Sequence, residues 1–237
     1  AASNLKTAAI APDGGSERLR RVINKNLSEA QLTAAAEALV RVGVVNLKLY
    51  FMIGLPTEEQ EDLEELVNLT LHLREAVLAI GRRRGRVCNL TLSINSFVPK
   101  PWTPFQFYPM EPVASLKQKL KYIRKRLAGQ ANLRIQAEQP DKAFFQATLA
   151  RGDRRLGAAL PELVRSEKNW RQALKAQGIE PLDYAGRKRE ETELFPWEII
   201  DHGIDRTYLW REYQRALQGK VTAPCDIERC RRCGVCS

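Results

Sequence analysis

Residues able to do chemistry gather in three turns and one tail of this 237-residue chain. The first turn, residues 11–16 (APDGGS), sets a carboxylate, Asp13, and a hydroxyl, Ser16, around two glycines. A carboxylate at the mouth of a sheet can accept both hydroxyls of a ribose, and glycine lets main chain approach a ligand closely. Lys25, twelve residues after Asp13, can return to the same mouth and pair a ligand carboxylate. A simple Asp-Gly turn beside a surface lysine uses the same residues with no ligand at all. The second turn, Gly54-Leu55-Pro56-Thr57, leaves an alternating apolar run and enters the acidic start of a helix at Glu58. The third is Phe97-Val98-Pro99-Lys100. The tail reads Cys225-x4-Cys230-x2-Cys233-x2-Cys236. Thiolates at that spacing can converge on one metal, and three readings stand: an iron–sulfur cluster, a zinc ion, or a metal-free tail. Cys88 opens an apolar strand and reads as a small buried hydrophobe.

The elements that position these turns alternate. Residues 5–11 read as a strand. Ser28 and Gln31 form a capping box ahead of a helix whose apolar stripe is Leu32, Ala35, Ala36, Leu39 and Val40, with Gly43 at its end. Residues 45–53 alternate as a strand, residues 58–80 form a long helix with an acidic first turn, and residues 90–97 form the next strand. Five prolines mark residues 99–112 as loop, Ser115 is read as the cap of a basic helix, and residues 133–136 as a short strand. Strands joined by helical crossovers make a parallel α/β sheet, with chemistry at the strand C-termini. Residues 140–220 read as mostly helical, broken at Pro161, Gly178–Pro181 and 186–193, with Asp205 capping a last helix.

In that order the three turns resemble the radical S-adenosylmethionine (SAM) superfamily. Residues 11–25 are similar to its fourth strand and following helix, residues 47–58 (LKLYFMIGLPTE) to its fifth strand, and residues 93–105 (SINSFVPKPWTPF) to its sixth. Residues 151–155 (RGDRR) and 195–198 (FPWE) resemble an uncharacterised subgroup whose members often carry a cobalamin-binding domain. The resemblance implies the C-terminal half of a partial β/α barrel over residues 1–136, a mostly helical extension over 137–220, and a four-cysteine metal-binding tail over 221–237. It implies Asp13 and Ser16 near the SAM ribose, Lys25 near its carboxylate, Gly54 under the adenine, and Phe97 and Pro99 on the other side. The intact enzyme would cleave SAM to a 5′-deoxyadenosyl radical that acts on an unknown substrate. The Cys-x3-Cys-x2-Cys loop for the [4Fe–4S] cluster is absent, so the resemblance places it in an N-terminal half beyond this chain, and this fragment alone is expected to be inactive. Cobalamin is implied as a further cofactor of the full-length protein, and an auxiliary Fe–S cluster or Zn at Cys225, Cys230, Cys233 and Cys236.

The net charge is +10. An RNA partner is the sharper reading of that charge and a solvated surface the plainer one. Arg82, Arg83, Arg84 and Arg86 are densest and read as a solvated loop. The rival function is a basic RNA-binding module with a four-cysteine metal knuckle. His72 and His202 are each alone and read as structural. Trp102, Phe105, Phe107 and Tyr108 read as packing or as a lid. No apolar run approaches a membrane span and no signal peptide is present, so the chain reads as a cytoplasmic protein without a membrane partner.

Overall fold

A computed structural model describes residues 5–165 and 169–236. Its chain divides into two compact units. The first comprises the chain up to Ser96, Ala114–Pro140 and Ala216–Val221, and the second Phe97–Val113, Asp141–Arg215 and the chain from Thr222 onward.

The first unit is built on a parallel sheet of β1 (Thr7–Asp13), β2 (Asn46–Ile53), β3 (Asn89–Ser96) and β4 (Leu133–Ala137), in the order β1-β2-β3-β4. Each strand therefore lies beside its successor, and crossovers of the usual right hand put their helices on one face of such a sheet. Those helices are α1 (Glu17–Val22), α2 (Glu29–Arg41), α3 (Gln60–Arg83) and α4 (Val113–Arg126). Leu47, Leu49, Phe51 and Ile53 of β2 and Leu90, Leu92 and Ile94 of β3 form the core face. Leu63, Leu66, Val67, Leu73 and Val77 are the buried stripe of α3. The opposite face carries Lys48, Tyr50, Thr91, Ser93, Asn95, Arg134 and Gln136, all half-buried or exposed. A parallel sheet usually has both faces covered by apolar side chains, so this polar face is unusual.

The alternation of β2, the Ser28–Gln31 capping box and the parallel pairing agree with the sequence expectations. The start of α4 does not. It opens at Val113, and Ser115 lies inside its first turn rather than at its cap. Pro112, with no N–H to satisfy and φ preset for a helix, supplies the start that Ser115 was expected to supply.

The second unit is helical: α5 (Pro140–Ala150), α6 (Arg154–Arg165), α7 (Trp170–Ala176), α8 (Pro181–Ala185) and α9 (Arg206–Leu217), with 3₁₀ turns at Pro104–Phe107 and Pro196–Ile199. Asp205 caps α9 by accepting from the Thr207 N–H at 2.8 Å. Pro161 does not break α6. It removes one helical hydrogen bond and crowds the carbonyl of Gly157 at i−4, yet the helix runs on to Arg165. The boundaries also differ from the expected 1–136, 137–220 and 221–237. Residues 97–113 join the helical unit because Phe107, fully buried, packs 5.4 Å from Phe195, 4.8 Å from Trp210 and 5.6 Å from Tyr213. The tail joins it because the Asp205 N–H donates to the Cys233 carbonyl at 2.7 Å. Among the described residues no helix is long and apolar enough to cross a membrane.

Candidate functional site

Parallel strands share a C-terminal edge, and β1 and β2 end there in Asp13 and Gly54. The main chain at this edge is strained. Asp13 has φ 62°, and the Gly14 N–H closes a three-residue turn onto the Pro12 carbonyl at 2.8 Å. Thr57, β-branched, has φ 63°. A positive φ at a non-glycine residue costs about 1–3 kcal/mol and is kept where surrounding structure enforces it.

Three polar clusters do the enforcing. Lys25 returns to the mouth and forms an ion pair with Asp13, both groups being partly exposed. The loop that brings it back begins where Asn24 (φ 56°) ends α1, the Lys25 N–H bonding the Arg20 carbonyl at 2.7 Å. The second cluster centres on Asp62, 2% exposed, which accepts from the Ser16 hydroxyl, the Arg18 guanidinium and the Glu59 N–H. Arg18 also bonds the Thr57 carbonyl at 2.6 Å and its hydroxyl at 3.1 Å, which pins the strained Thr57. In the third, Glu58 accepts the Gly54 N–H at 2.9 Å and the Lys119 ammonium at 2.6 Å.

These contacts give Ser16 and the two glycines roles within the fold. Ser16 is 1% exposed, caps α1 by accepting the Leu19 N–H at 3.0 Å, and spends its proton on Asp62. It is a buried helix cap. The two glycines serve packing, not a ligand. A Cβ at Gly15 would stand 2.5 Å from the Asp62 carbonyl oxygen and 2.7 Å from Leu66 Cβ, so its hydrogen lets the turn press against α3. Arg20 completes the turn from beneath. It is 1% exposed and donates to the carbonyls of Gly14, Gly15 and Leu27 at 3.1, 3.0 and 2.6 Å. Burial lowers its pKa from the usual arginine value.

Phe97 and Pro99 are buried within the second unit, Phe97 edge-on to Phe105 at 5.7 Å. The aromatic loop follows the packing reading. Buried Gln106 accepts from the Trp102 N–H and the Trp197 indole, each at 3.0 Å, and Trp102 stacks 5.2 Å from His202. His72 lies exposed, 3.9 Å from Glu29.

Sequence reasoning missed the arginines of this unit. Arg151 is fully buried and donates only to carbonyls, those of Tyr108 at 2.9 Å, Ala185 at 3.1 Å and Arg187 at 3.2 Å. Burial first, then the charges of Arg189 and Arg187, brings its pKa down to about 9. A cavity of about 240 Å³ lies alongside, lined among others by Asp153, Arg155, Tyr184, Arg187, Arg189 and Glu193. Of its carboxylates, Asp153 is paired with Arg155, and Glu193 with Arg187 and Arg189.

The tail cysteines do not converge. Among the described residues no three His, Cys, Asp or Glu side chains are placed to hold a metal ion. Main-chain bonds set the tail instead, the Cys230 N–H to Asp226 at 2.7 Å and the Cys233 carbonyl to Asp205. Arg232 bonds the Cys230 sulfur at 3.1 Å and lowers its pKa. Cys88 is buried, and burial pushes its thiol up, as a small core hydrophobe requires.

Against known proteins, the chain is 38% identical over 155 residues to the uncharacterized protein MJ0966 of Methanocaldococcus jannaschii, a match taking in 65% of this chain. The chain spans about a third of that relative's length, 32%. No protein-family model matches the chain. No solved structure matches it.

Proposed function

We propose that this chain is part of a radical SAM enzyme, in which the sheet's C-terminal edge holds SAM. The observation that carries the reading is the parallel sheet in sequential order, largely polar on one face, with the three resembling turns following its strands. A polar face on a parallel sheet suits a unit that is one segment of a larger β/α assembly, whose remaining strands would enclose that face. Asp13 and Lys25 fit a ribose and a carboxylate, since both are half-exposed and each can exchange the other for a ligand group. Gly54, with φ 76° and no side chain, fits a flat ring laid on main chain. The cluster would supply the electron that cleaves SAM. The turns after β1, β2 and β3 carry no cysteine, so its ligands would be supplied from elsewhere in the intact protein. As arranged, the four tail thiols fit neither an iron–sulfur cluster nor a zinc ion.

The test is an amide NMR titration of the chain with SAM. The expected affinity is weak, with Kd on the order of 1 mM or about −4 kcal/mol, because only part of the site is present. Shifts should centre on Asp13, Lys25 and Gly54 and disappear in Asp13→Asn. Saturation without shifts at these three residues overturns the reading.

A further inference from the structure

The two edges of the sheet carry opposite charge. Helices α1 to α3 begin at the C-terminal edge with Glu17, Glu29 and the run Glu58, Glu59, Glu61, Asp62, Glu64 and Glu65. Helices α2, α3 and α4 end at the N-terminal edge with Arg41, with Arg82 and Arg83, and with Arg124, Lys125 and Arg126. Arg84 and Arg86 follow in the loop entering β3, and Lys6 precedes β1. Over residues 76–96 and 114–137 there are eleven Lys or Arg and no Asp or Glu.

Helix dipoles account for part of this. A cation in a last turn gains about 0.3–1 kcal/mol. Arg86 lies beyond the helix, and adjacent or i, i+4 like charges repel. Arg82, Arg83, Arg86, Arg124 and Lys125 are exposed and have no carboxylate partner among the described residues. Arg82 and Arg83 stand on the last turn of α3, Arg124 and Lys125 on that of α4, and the loop carrying Arg86 is held by main-chain bonds. Gly85, φ 65°, ends α3 with its N–H on the Arg82 carbonyl at 3.1 Å, and the Arg86 N–H meets the Gly81 carbonyl at 3.0 Å. Arg84 turns back to cap the carbonyls of Val40 and Arg41, tying the ends of α2 and α3 together. A fixed, arginine-rich row without acids matches phosphate oxygens, which the guanidinium fork meets bidentately.

We propose that the N-terminal edge of the sheet binds RNA through its phosphate backbone, with Arg82, Arg83, Arg86, Arg124 and Lys125 as the contacts. Asn46, Asn89 and Asn132 open or precede strands at the same edge; the Asn89 amide donates to the Asn46 side-chain oxygen at 3.4 Å, and the remaining amide groups can bond 2′-hydroxyls, which DNA lacks. Tyr122 bonds Arg126 through its hydroxyl at 2.9 Å and stacks under that guanidinium, so it is no free platform for a base. Recognition here is of backbone and shape. The surface is separate from the strained C-terminal edge and independent of the SAM reading.

The test is fluorescence anisotropy of the full chain with a labelled 20-base-pair RNA duplex. Binding is expected with Kd on the order of 1 μM at 50 mM salt, falling steeply by 200 mM. R83E/R86E/K125E should weaken it at least tenfold and reduce the log–log salt slope by about 2–3. The neutral R83Q/R86Q/K125Q, checked for native circular dichroism, should weaken it at least threefold. The control K142E/R154E/R211E removes the same charge from exposed positions of the other unit and should stay within twofold of wild type. Equal loss in the control overturns the proposal. So does a DNA duplex of the same sequence bound as tightly as RNA, or capture by phosphatidylserine vesicles without binding to RNA.

Discussion

The C-terminal and N-terminal edges of the sheet are made by the same three crossovers, yet they are held in opposite ways. At the C-terminal edge, acids and bases meet: Lys25 with Asp13, Arg18 with Asp62, Lys119 with Glu58. Strained main chain at Asp13 and Thr57 is pinned by those pairs. At the N-terminal edge the cations Arg82, Arg83 and Arg86 meet solvent, and the main chain is secured by glycine-capped helix ends, by Arg84, and by Arg74 on the Ala131 carbonyl. One edge spends its charges on its own shape, and the other leaves them free for something else. Local stability should therefore be sensitive to substitution at the first edge and tolerant at the second.

The largest effect is expected at Gly15. Any Cβ there meets main-chain oxygen of α3 at 2.5 Å, and neither the turn nor the buried helix can yield. Gly15→Ala should cost about 3 kcal/mol, the upper end of overpacking penalties, read as a lower urea midpoint at unchanged slope. A cost under 1 kcal/mol would mean that the C-terminal edge is loosely held, and the contrast between the edges would fail.

The N-terminal edge offers a finer test, because its arginines divide. Arg84→Ala removes the carbonyl contacts that join α2 and α3 and should cost about 1 kcal/mol. Arg83→Ala touches nothing described and should stay within about 0.5 kcal/mol. Equal costs would show that the row acts as one structural unit and is not free for a ligand.

The two edges were not equally legible in the sequence. Local features were readable: the Ser28–Gln31 box spans three residues, and the alternation of β2 is visible within residues 45–53. Long-range ones were not. Asp62 reads as one more acid in a helix start, and only folding shows that it receives Ser16 from forty-six residues away. The glycines of the first turn look like room for a ligand until α1 closes on Gly14 and α3 on Gly15. Proline was read too literally at Pro161, which α6 carries in its interior. Phe97 and Pro99 were assigned from a turn pattern, while the aromatic cluster around Phe107 decides which unit that segment joins. The arginine row was read as a solvated loop because sequence order separates Arg83 from Lys125, whereas the crossovers bring both helix ends to one edge.

The smallest effect concerns pH and separates crowding at the acidic edge from mere acidity. Glu65 lies on α3 one turn after Asp62. Partial burial first, and the Asp62 charge second, hold its pKa above the ordinary glutamate range. The folded chain thus keeps the Glu65 proton to higher pH than the unfolded chain does. Between the two pKa values the native state binds more protons, so this group lowers stability as pH rises from the unfolded value near about 4.3 through the folded one. Glu193 and Asp153 act with the opposite sign, since their arginine partners lower their pKa values and their contribution is lost as pH falls. The difference between wild type and Glu65→Gln isolates the one group. Urea midpoints measured from pH 3.5 to 7 should show the variant gaining on wild type as pH rises, by a few tenths of a kcal/mol at this exposed position. A variant that instead falls behind with rising pH would mean that the attraction of Arg20 outweighs burial and Asp62 at Glu65. The acidic edge would then be balanced at every residue, and its contrast with the unpaired edge would be sharper than the charges alone indicate.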